Sequence, residues 1–178
     1  MQQRIINRVE GDKHYATYLR NNRPKITDGS SASAIILAAR MIARNVNAKC
    51  IASFTVGGDT ARKASMKRPE QPILAISPMT ETCRHLAMSW GVYPHYCPEE
   101  NINVDNFRDM LWTACEIGKE KGLVSDDTDL LVVTAGFPFG TPGASNIIRV
   151  IPGKTSFSFI LYFQGIIITT HITFHSNS

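Results

Sequence analysis

The sequence predicts an α/β fold: a three-layer domain with a five-stranded, mostly parallel sheet, its last strand antiparallel, and helices on both faces. Three observations carry this. Short apolar runs recur between segments of helical period. Two of the runs, Cys50–Phe54 and Leu130–Thr134, feed directly into glycine-rich loops. The final pair of runs is joined by only about twelve residues without a helical pattern, too short for the helical crossover a parallel pair needs.

The elements follow in order. Ile5, Ile6 and Val9 sit at helical spacing and predict one short helix. Residues 20–27 read as a connector. Asp28 or Ser30 then caps a helix whose apolar face is Ala32, Ile35, Ile36, Ala39, Ile42 and Val46. Its alanines allow close approach to a sheet. Cys50–Phe54 is a strand and Asp59–Lys67 a helix, broken by Arg68-Pro69-Glu70-Gln71-Pro72. Ile73–Ile76 is a strand. Ser77 is placed to cap the next helix, with Pro78 at its first position and Glu81 in its first turn. Cys83, Leu86, Ala87 and Trp90 make its buried face, and Gly91 ends it. Val92–Tyr96 is a strand. Asn103–Gly118 is a long helix with Phe107, Met110, Leu111, Ala114 and Ile117 inward, stopped by Gly122. Leu130–Thr134 and Ile147–Ile151 are the last strands. This divides the chain into a helix and connector (1–27), the α/β domain (28–151) and a tail (152–178). The tail is rich in Ser, Thr, Phe and Ile and predicts one or two extra strands, a sticky edge if exposed. Within it, Leu161-Tyr162-Phe163-Gln164-Gly165 resembles the end of a protease recognition site.

Composition narrows the function. The 178 residues suit one domain of ordinary size, and 43% of them are apolar. No run of 18 apolar residues occurs, so no membrane span is expected. Residues 1–10 lack the apolar block of a signal peptide. The formal charge is +4, from 19 Lys and Arg against 15 Asp and Glu. The basic residues are dispersed, which argues against nucleic acid. Cys50, Cys83, Cys97 and Cys115 form no Cys-x-x-Cys pair, so neither zinc nor a disulfide framework is expected. They read as reduced thiols of a cytoplasmic protein, with Cys50, Cys83 and Cys115 on apolar faces.

The glycine loops are the candidate ligand site. Parallel sheets bind ligands beyond the carboxyl ends of their strands, where Thr55-Val56-Gly57-Gly58-Asp59-Thr60 falls. Gly57 and Gly58 permit unusual backbone conformations. Thr60 offers a hydroxyl, the helix start offers N–H groups, and Arg62 offers charge-assisted bonds. A phosphate suits this place. Asp59 opposes an anion, and a plain turn with Asp59 as N-cap is the competing reading. The second loop, with Gly136, Gly140 and Gly143 beside Pro138 and Pro142, either closes a pocket against the first or forms a rigid surface turn. Thr134 and Asn146 have side chains able to orient it. Thr55, Gly57, Gly58, Thr60, Arg62, Gly140 and Gly143 are therefore the candidate binding residues.

No catalytic set emerges, and no catalytic residue or metal ligand is assigned. His85 has no Ser or Cys nucleophile at a telling spacing. His95 ends a strand beside Pro94. Asp126, Asp127 and Asp129 lack the register and glycine of a calcium loop and read as a solvated turn. Lys25, Lys49 and Lys63 show no burial pattern of a tuned amine. Trp90 and Trp112 read as packing residues, Trp112 partly exposed.

Four stretches carry a resemblance. They are Arg4-Ile5-Ile6-Asn7-Arg8-Val9-Glu10, the segment Arg68-Pro69 to Ser77-Pro78, His85-Leu86-Ala87-Met88-Ser89-Trp90-Gly91-Val92-Tyr93-Pro94, and Val133-Thr134-Ala135-Gly136 to Arg149-Val150. Together they resemble the C-terminal domain of pyruvate kinase over roughly residues 3–151. The resemblance implies a domain normally attached to a catalytic (β/α)₈ barrel. That barrel carries the phosphoenolpyruvate, nucleotide, magnesium and potassium sites, none of whose motifs matches a position here. The whole enzyme moves phosphate from phosphoenolpyruvate to ADP, and no turnover is expected of this chain alone. The resemblance further implies an effector site for sugar phosphates and contacts with the barrel or like subunits. Thr55 to Thr60 corresponds to the phosphate loop of members activated by fructose 1,6-bisphosphate. Val56, Gly57 and Asp59 stand where those members have hydroxyl residues, and Asn103 and Met110 replace their ligand-contacting Trp and Arg. These departures favour a sugar-monophosphate or AMP-like effector, or loss of the site. Two alternatives stand beside this reading: an α/β protein that self-associates, and a small enzyme acting on a phosphorylated metabolite.

Overall fold

The computed structural model describes residues 2–21, 29–102, 107–136, 145–153, 159–163 and 166–170. Helices α1 (Gln2–Glu10) and α2 (Lys13–Asn21) lead into α3 (Ser31–Asn45). Then come β1 (Cys50–Phe54), α4 (Asp59–Met66), β2 (Ile73–Ser77), α5 (Thr80–Leu86) and β3 (Val92–Tyr96). A 3₁₀ turn (Glu99–Asn101), α6 (Phe107–Glu120), β4 (Leu130–Gly136) and β5 (Ser145–Pro152) follow. The main sheet has five strands in the order β3-β2-β1-β4-β5. All its pairs are parallel except β4 with β5, which run antiparallel, as the short connection predicts.

Alternation along the strands builds the three layers. Cys50, Ala52 and Phe54 of β1, Leu74 and Ile76 of β2, and Leu131, Val133 and Ala135 of β4 pack with Met110, Leu111, Ala114 and Ile117 of α6. On the opposite face, Ile73 and Ala75 meet Ile36 of α3, Ala61 and Ala64 of α4, and Leu86 of α5. Ile51 and Val132 meet Ala39 and Ala43 of α3. The buried line of α3 is Ala32, Ser33, Ile36, Ala39 and Ala43. Ile35, Ile42 and Val46 flank it, half-buried. The alanines bring α3 close to the sheet, as expected. Ser30 is its cap, accepting the Ser33 N–H at 3.2 Å; Asp28, the other candidate, lies outside the described residues.

Three local expectations need correction. Ser77 does not cap α5: it is the last residue of β2, and α5 begins three residues later at Thr80, with Met79 as a cap lacking any side-chain bond. Its hydroxyl instead donates to the Val56 carbonyl at 3.2 Å. It also accepts the Met79 N–H at 3.2 Å. The predicted buried face of α5 therefore runs out. The helix stops at Leu86, Ala87 is exposed and Cys83 is half-buried. Gly91 does not end the helix but sits in the turn just before β3, at φ 67°. Finally, a second helix, α2, occupies part of the predicted N-terminal connector. Residues 22–28 and the predicted helix start at 103–106 lie outside the described residues. Helix α6 ends as predicted, with Gly122 in the left-handed region at φ 67°.

The tail contributes β6 (Phe159–Phe163) and β7 (Ile166–Thr170), an antiparallel pair separate from the main sheet. Before it, the chain is tied down as far as Gly153, whose N–H donates to the Asp129 carbonyl at 2.7 Å. A Cβ at Gly153 would stand 2.7 Å from both the Asp126 carbonyl oxygen and Val124, so only glycine fits there. The predicted acidic turn is formed beside it. Asp129 accepts the N–H groups of Ser125 and Asp126 at 2.9 and 3.0 Å, which lowers its pKa.

Cys50, Cys97 and Cys115 are buried. Burial, and secondarily the neighbouring Cys115, pushes the Cys50 thiol up to about 12. Burial likewise pushes Cys115 up to about 11. The sign of the linkage follows. Above the ordinary value of 9.0, the unfolded chain binds fewer protons than the folded one, so stability falls as pH rises from about 9 toward 12. Urea unfolding midpoints should hold steady to pH 8.5 and drop progressively at pH 9.5 and 10.5. A midpoint unchanged at pH 10.5 would contradict the buried-thiol account.

Candidate functional site

The first glycine loop sits where β1, the middle strand, gives way to α4. Thr55 is buried, and its hydroxyl oxygen accepts the Gly58 N–H at 3.0 Å. Gly58 lies in the left-handed region (φ 84°, ψ −4°) and is the N-cap of α4, with no side-chain cap bond. This corrects the competing reading of Asp59 as N-cap: Asp59 is the first helical residue. A glycine cap turns the chain sharply but supplies no oxygen for the first N–H groups of the helix. Those donors, and the positive end of the helix dipole, therefore lack the acceptor that Ser, Thr or Asp would have provided.

The loop is held from beneath. The Val56 carbonyl accepts from Thr82 Oγ1 at 2.8 Å and from Ser77 Oγ at 3.2 Å. Thr60 Oγ1 lies 2.7 Å from Ser145 Oγ, the first residue of β5. The second glycine loop spans the gap between Gly136 and Ser145, which are themselves paired across β4 and β5 next to a bulge. The Thr60–Ser145 contact thus brings the base of the second loop against the first turn of α4. Gly140 and Gly143 lie outside the described residues. The Arg62 guanidinium pairs with the Asp59 carboxylate, and both side chains are about 60% exposed (61% and 62%). The acid that opposed an anion here is neutralised by its neighbour one turn on.

Thr55, Gly57, Gly58, Thr60 and Arg62 therefore share one turn, as their adjacency implies. Ser77, Thr82 and Ser145 are the supporting residues that sequence reasoning missed. Ser77 looked like a helix cap. Thr82 and Ser145 reach the loop across 26 and 85 residues, and nothing local marks them. The Thr134 hydroxyl is buried and donates to the Ala52 carbonyl at 3.4 Å.

The other candidates are scattered. His85 is exposed on α5. His95 is half-buried on β3, and desolvation lowers its pKa. Trp112 is 48% exposed. Trp90 is half-buried beneath the Arg68 guanidinium, 4.7 Å from its ring centroid. Among the described residues, no group of three His, Cys, Asp or Glu is placed to hold a metal ion, and no helix is long and apolar enough to cross a membrane.

A parallel sheet with one antiparallel edge, its middle strand ending in a glycine turn, defines a three-layer α/β domain. Residues 33–151 match the family model of the pyruvate kinase alpha/beta domain, and the chain belongs to that family. It is 36% identical over 147 residues to a pyruvate kinase of Agrobacterium vitis, covering 83% of this chain and 30% of that protein. It is 31% identical to a pyruvate kinase of Methylorubrum extorquens over the same shares. To a pyruvate kinase of Staphylococcus haemolyticus it is 33% identical, covering 74% of this chain and 22% of that protein. The chain thus spans less than a third of the length of these relatives.

Proposed function

We propose that this chain is the regulatory and assembly part of a pyruvate kinase. In this reading it binds a phosphorylated effector at the β1–α4 turn and performs no turnover alone. Phosphoryl transfer from phosphoenolpyruvate to ADP, with its magnesium and potassium, belongs to a separate catalytic barrel in the cytoplasm. The observation that carries the effector reading is the glycine cap of α4. Its first N–H groups lie beside the Thr60 hydroxyl and the Arg62–Asp59 pair, while the buried Thr55 hydroxyl braces the turn from within. This suits one phosphate, as a sugar monophosphate or an AMP-like ligand offers.

The test is a titration of the protein with glucose 6-phosphate, fructose 1,6-bisphosphate and AMP, followed by amide chemical shifts. The expected result is saturable movement of the Gly57, Gly58 and Thr60 amides with a monophosphate, weakened about tenfold by Arg62→Ala. Absence of any shift at millimolar ligand would overturn the effector reading.

A second reading, self-association, rests on α1. Ile5, Ile6 and Val9 are 58%, 46% and 50% exposed along one apolar face flanked by Arg4 and Arg8. Such a face wants a partner, either the barrel or a like subunit. If it pairs with a copy of itself, sedimentation should show a dimer that Ile5→Glu dissociates; a monomer at all concentrations leaves the barrel as its partner.

A further inference from the structure

At the end of the sheet opposite the glycine turn lies a cavity of about 340 Å³. Its walls include Glu10, Tyr15, Glu70, Gln71, Trp90 and Tyr93. Gln71 and Trp90 come just before β2 and β3, so the cavity opens at the amino ends of these parallel strands. Glu10 and Tyr15 come from the corner between α1 and α2. That corner is closed by Gly11 N–H to the Asn7 carbonyl at 3.0 Å and Tyr15 N–H to the Asp12 carbonyl at 2.9 Å.

The chemistry of the lining is one-sided. Three aromatic residues and two glutamates line a common space. No Lys, Arg or His is found among the described residues that line it, in a chain of net charge +4. The Gln71 amide is oriented by its surroundings: Nε2 donates to the Ala43 carbonyl at 3.5 Å, and a carbonyl can only accept. Oε1 is thereby left buried with no partner. That oxygen has no exposed surface, so it is closed off from the cavity itself. Ring faces beside carboxylates call for a cation. Two of the wall groups already have one, Arg68 over Trp90 at 4.7 Å and Arg44 with Glu70 at 3.8 Å, which leaves Glu10, Tyr15 and Tyr93 to a ligand.

We propose that this cavity binds an organic cation bearing N–H donors, a guanidinium or alkylammonium on a short apolar stem. The head would donate to the Glu10 carboxylate, and the stem would lie along Tyr15, Trp90 and Tyr93. The volume falls within the range of small-ligand sites, roughly 300–1,000 Å³. The cation can come from a free amine or from an arginine side chain of another polypeptide.

The test uses Trp90 emission in the full chain. The protein has two tryptophans, so Trp112→Phe leaves Trp90 as sole reporter. The probes are agmatine, the peptide acetyl-Gly-Arg-Gly-amide, and butanol as the neutral control, at constant ionic strength. A saturable response to agmatine or the peptide, absent with butanol, is expected. Glu10→Gln and Tyr93→Ala should each weaken it about three- to tenfold. Both are surface positions, Tyr93 being 50% exposed, so folding should survive. Tighter binding of agmatine assigns the site to a free amine; tighter binding of the peptide assigns it to a side chain of another polypeptide. Equal responses to all three probes, or cation binding indifferent to both substitutions, would overturn the proposal.

Discussion

Phe54→Ala should cost about 3–5 kcal/mol of stability, the range for deleting a buried aromatic side chain. Phe54 is 2% exposed at the end of β1, the middle strand of the sheet, and packs in the cluster beneath α6. Strands flank it on both sides, so the cavity has little freedom to collapse. Against a total of roughly 5–15 kcal/mol for an ordinary domain, this is a large share. Urea unfolding should show a midpoint lowered by about a third or more. Met88→Ala is the control: Met88 is 91% exposed, and the change should stay within about 0.5 kcal/mol. A Phe54→Ala penalty under 1 kcal/mol would mean that β1 does not anchor the core as described.

Gly58→Val should both destabilise the chain and remove effector binding, whereas Gly57→Ala should be nearly silent in stability. At Gly58, φ is +84°, and a Cβ would stand 3.1 Å from Thr82 Cγ2 and 3.4 Å from Leu86. Holding a residue with a side chain in the left-handed region costs about 1–3 kcal/mol, and β-branching adds crowding. At Gly57 a Cβ meets nothing within 4 Å. The contrast separates backbone conformation from mere glycine content. Thermal unfolding of the two variants, with the phosphate titration repeated on each, checks it. Equal stability of Gly58→Val and the parent would refute the cap geometry.

Much of this fold was legible because its strands are short, apolar and flanked by strong breakers. Cys50–Phe54 and Val92–Tyr96 have the predicted limits. The inward face of α6 is also as read, with Met110, Leu111, Ala114 and Ile117 buried. The misreadings share one cause: several positions admit two local uses, and tertiary partners choose between them. Ser77 has good capping chemistry, but β2 extends through it, and its hydroxyl is drawn to Val56 instead. Asp59 is an excellent N-cap by composition. Gly58, one residue earlier, reaches the turn conformation without strain, and Asp59 is left to pair with Arg62. Helix α2 offers only a short apolar pattern, Tyr15, Tyr18 and Leu19, and Tyr18 is 62% exposed. At the site, the glycines and threonines of one loop were visible because they are contiguous. The Thr60–Ser145 contact was not, because only the completed sheet brings those hydroxyls together.

The strand order has a consequence for synthesis. The middle strand, β1, has β2 on one side and β4 on the other, and the bond from Thr134 to Ala52 spans 82 residues. A chain leaving the ribosome can assemble β1, β2 and β3 early, but one side of β1 then waits for residues 130–134. At about 5–20 residues per second, that wait is on the order of ten seconds. During it, the nascent half-sheet carries a bare apolar edge able to pair with another chain. Yield in the cell should therefore depend on translation speed through residues 55–130 and on chaperone cover there, quite apart from how stable the finished domain is.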